Sequence, residues 1–298
     1  MKKPVFRGCC TALATPFDQR GEVDFAALAA MLEFQLSAGV AAVALCATTG
    51  EGATLSERDF EQIISAGAKL IGGRVPLLAG AGKNCTLTTL HLCRVAQKAG
   101  ADGLLLCNPY YNKSTQTGIA EHFEFVADRV DIPIVLYSVP SRTGMAIAPE
   151  TYKRLAKHPK IVGAKEASGD ISLIARAMAL CGDELHFYSG NDDQTVAVLA
   201  LGGEGVISTA ANLVPRQMTE ICTLWQNGKT SAAAAKQLKL LELIDTLFCE
   251  TNPIPLKYAL GKTGLCTSYV RLPLVEPSAA TKARVDKMMQ KFDIGVEI

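Results

Sequence analysis

Short, continuous apolar runs alternate along this chain with longer segments whose apolar positions recur every three or four residues. The runs lie at 8–14, 41–46, 76–80, 103–107, 132–137, 161–165, 185–189 and 205–208. Brief apolar runs bounded by Gly, Pro, Asn or Asp are the pattern of strands buried on both faces. The intervening segments carry helix signals. Phe25, Leu28, Met31, Leu32 and Leu36 share one helical face behind Asp24, a capping residue. Ser56, followed by Glu57 and Asp59, opens the next helix with acids at the positive end of its dipole. Ala99-Gly100 and Gly202-Gly203 close two others.

Strand–helix alternation with parallel strands fits a (β/α)8 barrel or a doubly wound sheet. No G-x-G-x-x-G opens the first unit, which weakens a nucleotide-binding form of the second. Beyond Leu224 the strands stop, and 232–248, 253–265 and 278–292 read as helices, the first rich in Ala, Leu and Lys. The expected division is an α/β unit over residues 1–224 and a helical extension over 225–298. No Ser/Gly-rich linker separates them, so the extension should pack on the first unit.

Composition narrows the function classes. Hydrophobic residues make up 49% and charged residues 20%, which excludes a disordered chain. A net charge of +1 with scattered basic residues gives no electrostatic case for nucleic acid or an anionic membrane. No apolar stretch approaches the roughly 18 residues of a membrane span. The ten cysteines contain no C-x-x-C pair and no zinc-like cluster, and several sit in apolar segments. They read as reduced thiols of a cytoplasmic protein, with no metal expected.

Candidate chemistry starts at Lys165, which closes an apolar run and precedes Glu166-Ala167-Ser168-Gly169. Burial disfavours an ammonium, and a neutral lysine amine can attack a ketone to form a Schiff base. In a barrel, chemistry gathers at the C-terminal strand ends. Those ends carry Thr48-Thr49-Gly50-Glu51, Asn108-Pro109-Tyr110-Tyr111, Tyr137 through Gly144 including Arg142, and Ser189-Gly190-Asn191-Asp192, with Ile207 on the eighth run. Singly, each has a structural reading: an ion-paired lysine, a rim tyrosine, a helix-entering turn, a loop arginine. Their co-occurrence points to Schiff-base chemistry on a small oxo-acid. Two other motifs are set aside. Gly80-Ala81-Gly82-Lys83-Asn84 looks like part of a phosphate loop but lacks its first glycine and its Ser or Thr. His122, between Glu121 and Glu124, has no second histidine near it.

Three motifs carry a resemblance. Thr48-Thr49-Gly50-Glu51, Tyr137-x-Val139-Pro140-x-Arg142-Thr143-Gly144 and Gly163-x-Lys165-Glu166, in this order, resemble the dihydrodipicolinate synthase family of the N-acetylneuraminate lyase superfamily of class I aldolases. The likeness spans essentially the whole chain. It implies a (β/α)8 TIM barrel with a C-terminal helical extension, and condensation of pyruvate with L-aspartate 4-semialdehyde without a cofactor. By that resemblance Lys165 forms the pyruvate imine, and Tyr137 moves protons in a relay with Thr48 and Tyr111. Thr49 would hold the pyruvate carboxylate, Gly190 and Ile207 would line the pyruvate pocket, and Arg142 would receive the aldehyde's carboxylate. The relay tyrosine reaches into a neighbouring subunit in the family, so a homo-oligomer, tetramer or dimer, is expected. Ser138 departs from the asparagine many members carry, which leaves open another pyruvate-dependent aldolase acting on a sugar acid, N-acetylneuraminate or hydroxy-oxoglutarate, or a non-catalytic pyruvate binder. Glu57, Phe60 and Thr88 stand where lysine-inhibited members carry histidines and an acid, so feedback inhibition by lysine is expected to be weak or absent.

Overall fold

The computed structural model describes residues 2–294. Its strands are β1 (Gly8–Ala12), β2 (Ala42–Leu45), β3 (Leu77–Gly80), β4 (Gly103–Cys107), β5 (Ile134–Ser138), β6 (Ile161–Glu166), β7 (His186–Ser189) and β8 (Gly205–Ser208). They pair in parallel in sequence order, and β8 returns to β1, closing a barrel. The choice between closed barrel and open sheet falls on the barrel.

Around it lie α1 (Phe25–Ser37), α2 (Glu57–Ile71), α3 (Thr86–Lys98), α4 (Gln116–Ala127), α5 (Pro140–Thr143), α6 (Pro149–Leu155), α7 (Ile171–Cys181), α8 (Thr195–Ala200) and α9 (Pro215–Gln226). The chain ends in α10 (Thr230–Leu247), α11 (Ile254–Thr263) and α12 (Ala279–Lys291). The caps behave as their chemistry requires. Asp24 accepts from the Ala26 and Ala27 amides, and Ser56 forms a capping box with Asp59. Strand edges move by a residue or two: the first run stops pairing at Ala12, and the fifth begins at Ile134 and reaches Ser138.

Two apolar layers follow from the period-two alternation of the strands. Outward residues such as Val43, Leu104, Leu136 and Phe187 pack under the helices. Inward residues form a second cluster that includes Cys10, Ala12, Ala42, Ala44, Leu78, Tyr137, Tyr188 and Ile207. The small side chains of β1 and β2 leave room on one side of the barrel interior. The bulky Tyr188 fills the other, stacked on Phe6 and donating its hydroxyl to the Phe6 carbonyl.

Candidate active site

Strand register brings the two central residues together. Tyr137 on β5 pairs with Lys165 on β6, both facing inward, and Leu136 and Ala164 face out. Both side chains are buried, and Lys165 Nζ sits 4.3 Å from the centroid of the Tyr137 ring. A cation over an aromatic face is a favourable contact where water is excluded. Cys10 and Asp192 also feel this lysine. Burial pushes the pKa of each upward, and the charge of Lys165 pulls both partly back.

A cavity of about 310 Å³ opens at the C-terminal ends of the strands. Thr48, Tyr137 and Arg142 line it, so three of the expected residues share one wall system. Lys165 lies outside that lining, against the ring of Tyr137. Ile207 is fully buried in the inner barrel cluster with Tyr137. Gly190 follows β7, where its amide donates to the Glu166 carbonyl at 2.6 Å. A Cβ there would meet the Ala167 Cβ at 2.6 Å and the Glu166 carbonyl oxygen at 2.8 Å, so only glycine allows β7 this approach to the end of β6.

Thr49 is buried and its hydroxyl is already engaged. It receives the Asn252 amide at 3.0 Å and lies 3.2 Å from the Thr209 hydroxyl. The Thr209 and Ala210 amides in turn donate to Asp192 at 3.1 and 2.9 Å. Loops after β2, β7 and β8 are thereby tied to the extension. Tyr111 stands apart: it is 92% exposed, holds a left-handed φ of 67°, and does not line the cavity of its own chain, whereas Tyr110 does.

Backbone strain gathers at this end of the barrel. Among the described residues, Cys46, Glu51, Tyr111 and Lys113 are non-glycine residues with φ between 53° and 67°, all on the loops after β2 and β4. Such conformations cost about 1–3 kcal/mol each and persist where surrounding contacts over-determine them. At Glu51 the contacts are visible. Its carboxylate faces Lys257 and accepts the Arg271 amide.

Glu166 and Ser138 face the other way. Glu166 accepts from the hydroxyls of Tyr152 and Ser168, and burial raises its pKa. Ser138 Oγ accepts the Ile147 amide at 3.4 Å, outside the barrel. The departure at Ser138 therefore falls behind the site and not on its wall. The regulatory positions are also clear of the cavity lining: Phe60 is in the core, Glu57 pairs with His91 at 2.9 Å, and Thr88 is exposed on α3.

Reading the chain alone missed Asn252, Asp192 and Lys83 as site residues. Asn252 and Lys83 line the cavity, and Asp192 is buried beneath it. Lys83 had a signal, since it closes the loop after β3 at a C-terminal strand end. Asn252 had only an Asn-Pro turn in a region read as helical. Among the described residues no cluster of three His, Cys, Asp or Glu side chains could hold a metal, and no helix is long and apolar enough to cross a membrane.

Comparison with known proteins was made against this geometry. The model of the dihydrodipicolinate synthetase family matches residues 5–292. The 4-hydroxy-tetrahydrodipicolinate synthase of Clostridium novyi is 45% identical over 91% of this chain and 92% of its own length. Dihydrodipicolinate synthase from Thermotoga maritima superposes with a TM-score of 0.96 at 39% identity, covering 98% of this chain and all of that one. A monomeric dihydrodipicolinate synthase variant superposes with a TM-score of 0.95 at 40% identity, over 97% and 98% of the two chains.

Proposed function

The chain belongs to the dihydrodipicolinate synthetase family, and from that premise we propose how its own residues divide the work. It is a lyase that condenses pyruvate with L-aspartate 4-semialdehyde to give 4-hydroxy-tetrahydrodipicolinate, on the route to lysine and diaminopimelate.

The neutral Lys165 amine adds to the pyruvate ketone, water leaves, and an imine forms. The imine accepts the electron pair of a methyl C–H bond as its proton departs, giving an enamine. The enamine carbon attacks the aldehyde carbon. Tyr137 donates a proton to the new alkoxide and is reprotonated through Thr48, which shares the cavity wall with it. The substrate amine then adds to the imine carbon, closes the ring and releases Lys165. Arg142 receives the aldehyde's carboxylate; its guanidinium lines the cavity and is held at 2.9 Å by the Asn252 carbonyl. Thr49, Gly190 and Ile207 shape the pyruvate end.

The observation that carries this assignment is the Lys165–Tyr137 pair, the imine former and the proton donor in register on adjacent strands, 4.3 Å from ammonium to ring. Tyr111 serves the site of a second copy, and its near-complete exposure on one chain supports an assembly of at least two. Residues 1–224 act as the catalytic barrel, and 225–298 as an extension that completes the cavity through Asn252, Pro253, Pro273 and Leu274. The ten unbridged cysteines favour a reducing, cytoplasmic setting.

The deciding test is turnover of pyruvate with L-aspartate 4-semialdehyde, the product identified by coupling to a reductase, beside borohydride trapping of pyruvate. Turnover with the trapped adduct on Lys165 is expected. An adduct on any other residue, or turnover unimpaired in folded Lys165→Ala, overturns the assignment.

A further inference from the structure

The segment Gly80-Ala81-Gly82-Lys83-Asn84, set aside as a phosphate loop, ends on the cavity wall. The lining contains three charged side chains: Glu51, Lys83 and Arg142. Glu51 is neutralised, with Lys257 Nζ 2.8 Å from Oε1 and the Arg271 amide 2.9 Å from Oε2. The two charges left are both cations. Arg142 gives one N–H to the Asn252 carbonyl, and Lys83 gives one proton to the Gly52 carbonyl at 2.8 Å. Among the described residues neither has a carboxylate partner, so two of the three ammonium protons of Lys83 remain to be satisfied.

Lys83 is held to this orientation. Its amide donates to Thr89 Oγ1 at 3.0 Å, and its carbonyl accepts from the same hydroxyl at 3.1 Å, clamping the loop to the first turn of α3. Gly82, just before it, lies where a Cβ would come within 2.5 Å of the Cys107 amide, so the loop is pressed onto the end of β4. The charged neighbours are Cys46 and Cys107. Burial pushes both thiols up, Cys107 to about 11, so neither supplies an anion at neutral pH. Burial also lowers the pKa of Lys83 itself. A half-buried cation lacking a counter-ion carries a desolvation cost that a bound anion offsets.

We propose that Lys83 is a specificity-determining residue, a second cationic anchor that together with Arg142 holds the carboxylate end of the acceptor aldehyde. The acceptors taken are then aldehydes bearing a carboxylate at the end remote from the carbonyl. This rests on the reading of the cavity given above.

The test pairs kinetics with binding. Lys83→Met is expected to raise KM for L-aspartate 4-semialdehyde about tenfold, well beyond any change in kcat or in KM for pyruvate, and Lys83→Arg to restore most of it. Succinate, four carbons long like the aldehyde and unable to condense, is titrated by calorimetry into enzyme carrying the borohydride-reduced pyruvate adduct. Its affinity is expected to fall about tenfold in Lys83→Met and return in Lys83→Arg. Values within about twofold of the parent in folded Lys83→Met, no succinate binding by the parent, or a loss that Lys83→Arg does not restore, overturn the proposal. If the parent forms no adduct, the catalytic assignment fails, and titration of untreated protein still decides the role of Lys83. Should Lys83→Met not fold, Lys83→Gln takes its place under the same criteria.

Discussion

Glu51 and Lys257 form an ion pair 2.8 Å long in which neither side chain has any exposure to solvent. Lys257 comes from α11 in the extension, and Glu51 from the loop that also carries Thr48 and Thr49. Lys257 donates further to the Tyr269 carbonyl at 2.8 Å and lies 4.1 Å from the centroid of Phe17. Arg271 stacks on the same ring and reaches Asp59 and the Gly21 carbonyl. Glu51 Oε1 makes the charge contact without hydrogen-bond geometry, so the attraction is chiefly electrostatic. Burial lowers the pKa of Lys257, and the carboxylate of Glu51 opposes that shift.

Removing one partner leaves the other charged, buried and alone. Lys257→Met is expected to cost about 3–5 kcal/mol in urea-induced unfolding, and the double variant with Glu51→Gln less than that. Equal stability of single and double variants would show that the two side chains are not coupled.

Tyr137→Phe keeps the ring against Lys165 and deletes the proton. Turnover is expected to fall about 10²–10⁴-fold, with a pyruvate adduct still trapped on Lys165 by borohydride. A change of less than about threefold in turnover would remove Tyr137 from the proton path.

The role of Tyr111 is open to complementation. If it serves a second copy's site, Tyr111→Phe and Lys165→Ala are each impaired alone. Mixed and re-equilibrated, they regain activity, because some sites then combine an intact lysine with an intact tyrosine. No recovery in a mixture shown by native mass spectrometry to have exchanged subunits would place Tyr111 outside the reaction.

His122 supplies a pH prediction. Burial pulls its pKa down from 6.5 to about 4, and its Nδ1 meets the Thr86 hydroxyl at 2.9 Å. The unfolded chain takes up this proton at a higher pH than the folded one. Stability is therefore lost as pH falls from the unfolded value toward the folded one, by up to ~3 kcal/mol. Urea unfolding between pH 7 and pH 4 should show that loss in the parent and a flatter profile in His122→Asn.

Lysine is expected to inhibit weakly or not at all. Phe60 is locked in the core and Glu57 is paired with His91, so neither offers the cavity a group for an amino acid. Strong inhibition by millimolar lysine in the coupled assay would overturn this.

The chain on its own determined the strands, their ends and the sides on which chemistry would appear. Apolar alternation and breaker residues are local properties, and they placed Tyr137 and Lys165 at successive strand ends whose side chains face inward. Ring closure was beyond them, because an open sheet has the same local pattern, and closure depends on β8 meeting β1. Only the folded molecule decided which polar groups would lose water together. Asn252 reaches Thr49 across 203 residues of sequence, and Lys257 meets Glu51 from the far end of the chain. Lys83, read as a fragment of a phosphate loop, became a cavity wall because its loop is pressed between α3 and the end of β4. Such contacts draw their energy from desolvation and distance, which no local pattern of residues encodes.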